Sequence, residues 1–172
     1  MTPCRSRAAC STTGIPSVSK PLFLYHALTM LPLAGFAFYD HRHHRIRNAA
    51  LLAFLPWCLL YLPLAAYACP GTTFPEMLLH CAMGFLSGFL LLLSVSLATN
   101  GGIGGGDIKL TALLGIPFGA SALMAALALS CLSALIHLGI RKACKRQAAG
   151  NIPFAPYLFF GCHAAILLQL LL

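Results

Sequence analysis

Residues 100–110 of the chain read NGGIGGGDIKL and lie between two strongly apolar segments. This stretch contains five glycines and one aspartate, Asp107. The sequence of 172 residues contains only three acidic residues, which are Asp40, Glu76 and Asp107. A reaction that needs two carboxyl groups therefore has almost no choice of residues, so the sequence alone narrows the chemistry of this protein.

The composition is that of a membrane protein. Hydrophobic residues make up 59% of the chain and charged residues 8%, whereas about 25% of the residues of a soluble domain are charged. The mean hydropathy is +0.85, and several apolar runs are long enough to cross a bilayer. The formal charge of +8 comes from short basic clusters beside these runs, which is typical of topology signals. We therefore expect the lipid bilayer as a partner, and no nucleic acid.

The apolar runs predict an all-α polytopic protein with about six transmembrane helices, the fourth of them short. A polar tail over 1–20 precedes a single membrane domain over 21–172. The stretch 108–140 would be about 50 Å long as one helix, which exceeds a hydrocarbon core of about 30 Å. The sequence GIPFG at 115–119 is expected to divide it into two helices. The other spans are expected at about 22–39, 49–68, 76–98 and 157–172.

The third of these spans carries two glycines four residues apart, Gly84 and Gly88. Small residues at this spacing lie on one face of a helix and let a neighbouring helix approach closely. The spacing therefore predicts a close helix contact at these two positions.

The basic residues also predict the orientation of the chain. If the tail is outside, eight of the eleven Lys and Arg residues lie on the cytoplasmic side, which the positive-inside rule favours. These eight are Arg42, Arg45, Arg47, Lys109, Arg141, Lys142, Lys145 and Arg146. Both termini are then outside. Because two full crossings separate Asp40 from Asp107, both aspartates are expected at the cytoplasmic boundary, where they can meet.

Two carboxyl groups held close together share a proton and titrate as a coupled pair. The ionised group can take a proton from water while the protonated one polarises a peptide carbonyl, as in aspartic proteases, and no metal or cofactor is required. Gly104, Gly105 and Gly106 have no side chains, so a substrate backbone can approach Asp107 and add to the loop as a strand.

Simpler roles for the three acids remain open at this point. Asp107 follows a glycine turn and could cap a helix that starts at residue 108. Asp40 could pair with Arg42 or Arg45 at the membrane surface. Glu76 is expected to be an ordinary acid in the first turn of the third span, without a catalytic role.

Other kinds of site are disfavoured. His41, His43 and His44 follow Asp40, but the neighbouring arginines would repel a metal ion, so no metal site is expected. His80, His137 and His163 stand singly in apolar segments and are expected to be packed, hydrogen-bonded groups.

Lys109 can simply extend to water from the interface. None of the eight cysteines forms a C-x-x-C pair, so we expect no disulfide or zinc chemistry. A phosphate-binding loop would need lysine where Asp107 follows the last glycine.

Three motifs together resemble those of a known family. GGGDIK at 104–109 resembles the G-x-G-D-x-K signature of type IV prepilin peptidases, the membrane aspartyl peptidases of bacterial and archaeal pilin systems. DHRHHRIRN at 40–48 is similar to the family's D-x-R-x-x-x-I-P-N motif, and IPFAP at 152–156 to its I-P-F-[GA]-P element. The three motifs occur in order from the first span to the last, which makes the resemblance specific.

The resemblance implies that Asp40 and Asp107 form the catalytic pair and that the residues around them support substrate binding. These supporting residues are Gly104, Gly105, Gly106, Lys109, Arg42 and Asn48. It also implies that the protein lies in the bacterial inner membrane and removes the short basic leader of prepilins or pseudopilins at the cytoplasmic face. Arg47 stands where the family has proline. The insert of long-form members, with its C-x-x-C pairs and N-methyltransferase activity, is absent from this sequence, which implies a short, peptidase-only form.

Two other functions remain as alternatives. A small proton-coupled carrier would also need carboxylates in the membrane. It predicts an aspartate near the bilayer midplane and a water-filled path, and it would be favoured by an inverted repeat, which the sequence does not contain. A non-catalytic homologue acting in pilus or secretion assembly is the other alternative, and Arg47 favours it. The sequence does not identify the substrate or the oligomeric state.

Overall fold

The computed structural model describes residues 20–43, 47–68, 71–98, 103–143 and 154–171. Over these residues the protein has six helices and no strand, which confirms the all-α class. The tail predicted at 1–20 lies outside them except for Lys20, as do parts of both basic connections. The helices are α1 (Lys20–His43), α2 (Asn48–Leu59), α3 (Tyr61–Ala68), α4 (Phe74–Ala98), α5 (Gly105–Ala143) and α6 (Ala155–Leu171).

Within the described residues, four stretches are long and apolar enough to cross a membrane. They are Pro21–Asp40, Asn48–Ala68, Phe74–Ala98 and Gly105–His137. A shorter apolar helix covers Ala155–Leu168. This agrees with the expected multi-pass protein. The count differs from six because 108–140 belongs to the single span Gly105–His137, although that span consists of two helical pieces joined at a kink.

The expected division of that stretch takes the form of a kink inside α5. Gly119 has φ 71 and ψ 173, whereas the residues on both sides are helical. Glycine is required here because a side chain is strained at this positive φ. A side chain at this position would also collide with the imidazole ring of His80. The kink lies within the GIPFG sequence, at its last residue.

The second stretch is also interrupted, between α2 and α3 at Leu60. Pro63 explains the break, because it has no N–H to donate to the carbonyl of Leu59 and its ring crowds that carbonyl. The Leu60 N–H still donates to the carbonyl of Pro56 at 3.0 Å, and the Leu64 N–H to that of Leu60 at 3.4 Å. The two helices therefore follow one another as a single crossing.

Helix α5 is the centre of the bundle and packs against α4, α6 and α2. Residues 110–119 of α5 are all buried. Gly84 of α4 lies directly against the backbone of Gly115, so a side chain at either position would overlap the other helix. A Cβ at Gly88 would lie 3.0 Å from the carbonyl oxygen of Thr111. The close contact predicted for Gly84 and Gly88 is therefore confirmed.

A half-buried histidine joins α1 to α5 next to the kink. His26 Nδ1 lies 2.7 Å from the carbonyl oxygen of Leu22, and its Nε2 lies 3.1 Å from that of Pro117. Its ring also packs edge-on against Phe118. Pro117 precedes the kink at Gly119 by two residues, so the imidazole reaches α5 from another helix close to the kink.

Candidate active site

Asp40 lies in the last turn of α1 and is only 4% exposed. Its Oδ2 accepts a hydrogen bond from the backbone N–H of Ala155 at 3.4 Å. Ala155 is the first residue of α6, and the carbonyl of Phe154 before it accepts from Leu158 at 3.1 Å. The Ala155 N–H is thus one of the amides that a helix leaves without an internal partner at its N-terminus. A carboxylate is favourable at this end of a helix, so Asp40 fixes the end of α1 to the start of α6.

Asp107 lies in the first turn of α5, which begins at Gly105. The carbonyl of Gly104 accepts hydrogen bonds from the N–H groups of Asp107 at 3.0 Å and Ile108 at 3.3 Å. Gly104 is therefore the residue that caps the helix. The interpretation of Asp107 as the cap of a helix starting at 108 is wrong, because the helix begins three residues earlier. Asp107 is therefore a residue of the first turn of α5 and not the residue before the helix.

The glycines beside Asp107 differ in what surrounds them. A Cβ at Gly104 would lie 3.3 Å from Oδ2 of Asp107, whereas a Cβ at Gly105 would meet nothing within 4 Å. Gly104 and Gly105 are exposed and Gly106 is half-buried. The absence of a side chain at Gly104 therefore leaves room for the carboxylate itself.

The structure brings Asp40 and Asp107 together at one end of the bundle. The two carboxylates are close enough for the charge of Asp40 to act on Asp107 by repulsion. Oδ1 of Asp107 is buried and has no hydrogen-bond partner among the described residues. Two neighbouring carboxyl groups of this kind lose their protons one at a time. The arrangement can therefore hold one proton between a carboxylate and a carboxylic acid.

Lys109 and Asn48 meet at the same end of the bundle. The Lys109 ammonium group donates a hydrogen bond to Oδ1 of Asn48 at 3.1 Å, which joins the start of α5 to the start of α2. Both side chains are exposed. The sequence motifs had placed each of them beside an aspartate without predicting that they bind each other.

Two further candidates, Arg42 and Glu76, are exposed, in contrast to Asp40. Arg42 is exposed, and residues two apart on a helix face different sides, so it does not share the buried position of Asp40. Arg45 lies outside the described residues. Glu76 caps the start of α4 by accepting a hydrogen bond from the Thr73 N–H at 2.9 Å, a common use of an acid in a first turn. Its expected first-turn position is confirmed.

His80, His137 and His163 are packed against aromatic rings. His80 stacks on Tyr61, and His163 stacks on Phe159. Nδ1 of His137 lies 2.6 Å from the hydroxyl of Tyr157. Within the described part of the chain, no three His, Cys, Asp or Glu side chains come together to hold a metal ion; His44 lies outside that part.

Two groups near the aspartates were missed by sequence reasoning. The backbone N–H of Ala155 leaves no trace in a side-chain pattern, although the motif containing it was identified. Thr111, by contrast, is a polar residue one turn after Asp107 in a strongly apolar helix. This position could have identified Thr111 as a candidate site residue from the sequence alone.

Comparison with known proteins gives two matches. A sequence profile described as the type IV leader peptidase family matches residues 27–139, a range that contains both aspartates. The chain is also 32% identical over 168 residues to a Bacillus subtilis (strain 168) protein named prepilin leader peptidase/N-methyltransferase. That alignment covers 97% of this chain and 63% of the relative, so the chain spans less than two thirds of the relative's length. No solved structure gives a significant match.

Proposed function

The chain belongs to the type IV leader peptidase family, and from this premise we propose that it is an aspartic-type endopeptidase with Asp40 and Asp107 as its catalytic residues. Its substrates are prepilins or pilin-like subunits. It removes their short basic leader at the cytoplasmic face of the bacterial inner membrane.

One observation carries the proposal, namely that the charge of Asp40 acts electrostatically on the carboxyl group of Asp107. These residues are 67 positions apart, and the chain has only one other acid, Glu76. Glu76 is exposed and already caps α4. If the reaction uses two carboxyl groups, the pair formed by Asp40 and Asp107 is the one available.

The pair supports peptide hydrolysis as follows. The ionised carboxylate removes a proton from a water molecule, whose oxygen attacks the carbonyl carbon of the scissile bond. The protonated carboxyl donates a hydrogen bond to the carbonyl oxygen and stabilises the negative charge that develops there. The tetrahedral intermediate then releases the amine, which takes a proton from the acid formed in the first step. The proton is thus returned, and the pair is ready for another turnover.

The position of the aspartates argues against the carrier alternative. That alternative predicts a carboxylate near the middle of a span, whereas Asp40 is in the last turn of α1 and Asp107 in the first turn of α5. An end position suits a peptidase whose substrate enters from the aqueous side.

The test uses the full chain, purified in detergent and mixed with a bacterial prepilin. We expect the wild-type protein to remove the leader, and Asp40→Asn and Asp107→Asn each to lose this activity while remaining folded. Glu76→Gln is the matched control, because it also removes one carboxylate charge, and it should retain activity.

Normal processing by either aspartate variant would show that the assignment is wrong. Absence of cleavage by the folded wild-type protein would favour the alternatives instead. In that case, proton flux in vesicles would identify a carrier, and binding without cleavage would identify an assembly factor.

A further inference from the structure

Thr111 is a fully buried residue of α5, one turn after Asp107. Its hydroxyl has no hydrogen-bond partner among the described residues. Oδ1 of Asp107 is also buried without a hydrogen-bond partner. In the described part of the chain, these are the two buried side-chain atoms that lack a partner. Buried polar atoms in proteins are nearly always hydrogen-bonded, so two exceptions at neighbouring positions call for a common explanation.

The free hydroxyl of Thr111 is unusual for this protein. A serine or threonine in a helix commonly donates to the carbonyl four residues earlier. In this protein Thr29 does so at 2.8 Å, Ser130 at 2.7 Å and Ser94 at 2.7 Å. For Thr111 the equivalent acceptor is the carbonyl of Asp107, and the bond is not made. The Thr111 hydroxyl is therefore available to another group.

The helix places that hydroxyl on the same side as the Asp107 side chain. Residues four apart on a helix are neighbours, with their Cβ atoms about 5–6 Å apart. The two oxygens do not bond each other directly, but one water molecule can link polar groups at such a separation. A hydroxyl both donates and accepts, so the link holds whether the carboxyl is protonated or ionised.

We propose that Thr111 is a positioning residue for Asp107: its hydroxyl and Oδ1 of Asp107 hold one water molecule between them, and this keeps the Asp107 carboxyl turned toward Asp40. The inference rests on the proposed function, because it assigns Thr111 a task in the same reaction. Thr111 itself is well fixed, since its carbonyl oxygen lies against Gly88 of α4. The Thr111 hydroxyl is therefore fixed in position, and the water molecule bound to it can hold the Asp107 carboxyl in one orientation.

The test compares two replacements of similar size in the full-length protein. Thr111→Val keeps the shape of the side chain and removes the hydroxyl, whereas Thr111→Ser keeps the hydroxyl and removes a methyl group. We expect Thr111→Val to lower kcat about ten- to a hundred-fold, the loss expected for one hydrogen bond to a charged group. KM should not change, because Thr111 does not touch the substrate. Thr111→Ser should recover most of kcat.

A purely structural role gives the opposite result. Removing an unpaired buried hydroxyl stabilises a protein, so Thr111→Val would then melt at a higher temperature and cleave with wild-type kcat. That outcome would overturn the proposal while leaving the peptidase assignment intact, whereas an inactive wild-type protein would overturn the assignment itself. If Thr111→Val does not fold, Thr111→Cys replaces it, because cysteine has the branching of serine but its thiol forms only weak hydrogen bonds. Equal kcat for the cysteine and serine variants would likewise overturn the proposal.

Discussion

Lys109 of α5 donates a hydrogen bond to Asn48 of α2 over 3.1 Å, although the two residues are 61 positions apart in the chain. Each belongs to one of the two motifs that contain an aspartate. Lys109 follows Asp107 by two residues, and Asn48 is the last residue of the motif that begins with Asp40. The bond therefore couples the starts of α2 and α5, and through them the two segments that supply the carboxylates.

This bond leads to the first prediction. Asn48→Ala and Lys109→Ala should each lower the rate of leader removal several-fold, because the start of α5 loses its tie to α2. The double variant should be no worse than the more damaged single variant, since residues that act through one bond are not additive. The measurement is a double-mutant cycle on kcat/KM, and fully additive effects would contradict the coupling.

Gly104 and Gly105 offer a second prediction. Gly104→Ala should lower kcat, because its methyl group would lie 3.3 Å from Oδ2 of Asp107 and push the carboxylate by a few tenths of an ångström. Gly105→Ala places the same methyl group where nothing lies within 4 Å, so its effect should be much smaller. The two variants are compared by kcat on one prepilin substrate. A larger loss for Gly105→Ala would show that backbone freedom, and not room for the carboxylate, is what matters.

A third prediction concerns the contact between α4 and α5. Gly84→Ala should destabilise the protein by about 1–3 kcal/mol, because the new methyl group would overlap the backbone of Gly115 and force the helices apart. Gly35→Ala is the matched control, since Gly35 is also in a helix but has nothing within 4 Å. It should be neutral or stabilise by about 0.5–1 kcal/mol, the helix propensity difference. Thermal melting in detergent measures both, and equal melting temperatures would contradict the close contact.

The imidazole of His26 gives a fourth prediction. His26→Phe should destabilise the protein by about 1–3 kcal/mol, because it removes the ring N–H that bonds to one of the carbonyl oxygens of Leu22 and Pro117. His163→Phe is the control. It is exposed and only stacks on Phe159, so its effect should stay within about 0.5 kcal/mol. Denaturant unfolding of the purified variants would decide between the two expectations.

Much of the helix arrangement follows from residue types alone. The apolar runs predict the helices, and the spacing of Gly84 and Gly88 predicts a helix contact. Both patterns can be recognised within one segment of the sequence, because each depends only on the residues of a single helix. The division at GIPFG into two helices was also predicted, and it is found as a kink at Gly119. The sequence shows that GIPFG disturbs the helix, but neighbouring contacts decide whether the chain bends or forms a loop, and here His80 occupies the space beside Gly119.

The site was predictable only in part, for a related reason. Asp40 and Asp107 could be selected because acids are so rare in this chain, and because the number of crossings between them returns the chain to one side. The Ala155 N–H and the bond between Lys109 and Asn48 depend on how separate helices meet, which no local pattern encodes. The prediction that the helix starts after Asp107 was wrong, because three glycines in a row do not indicate which of them begins the helix.

The bond from Ala155 to Asp40 also has a consequence for biosynthesis. Asp40 is made early by the ribosome, and its backbone donor follows 115 residues later. A nascent chain that already contains both aspartates still lacks the amide that holds the first of them. Asp40 therefore gains this hydrogen bond only after α6 has been synthesised and has packed against the end of α1.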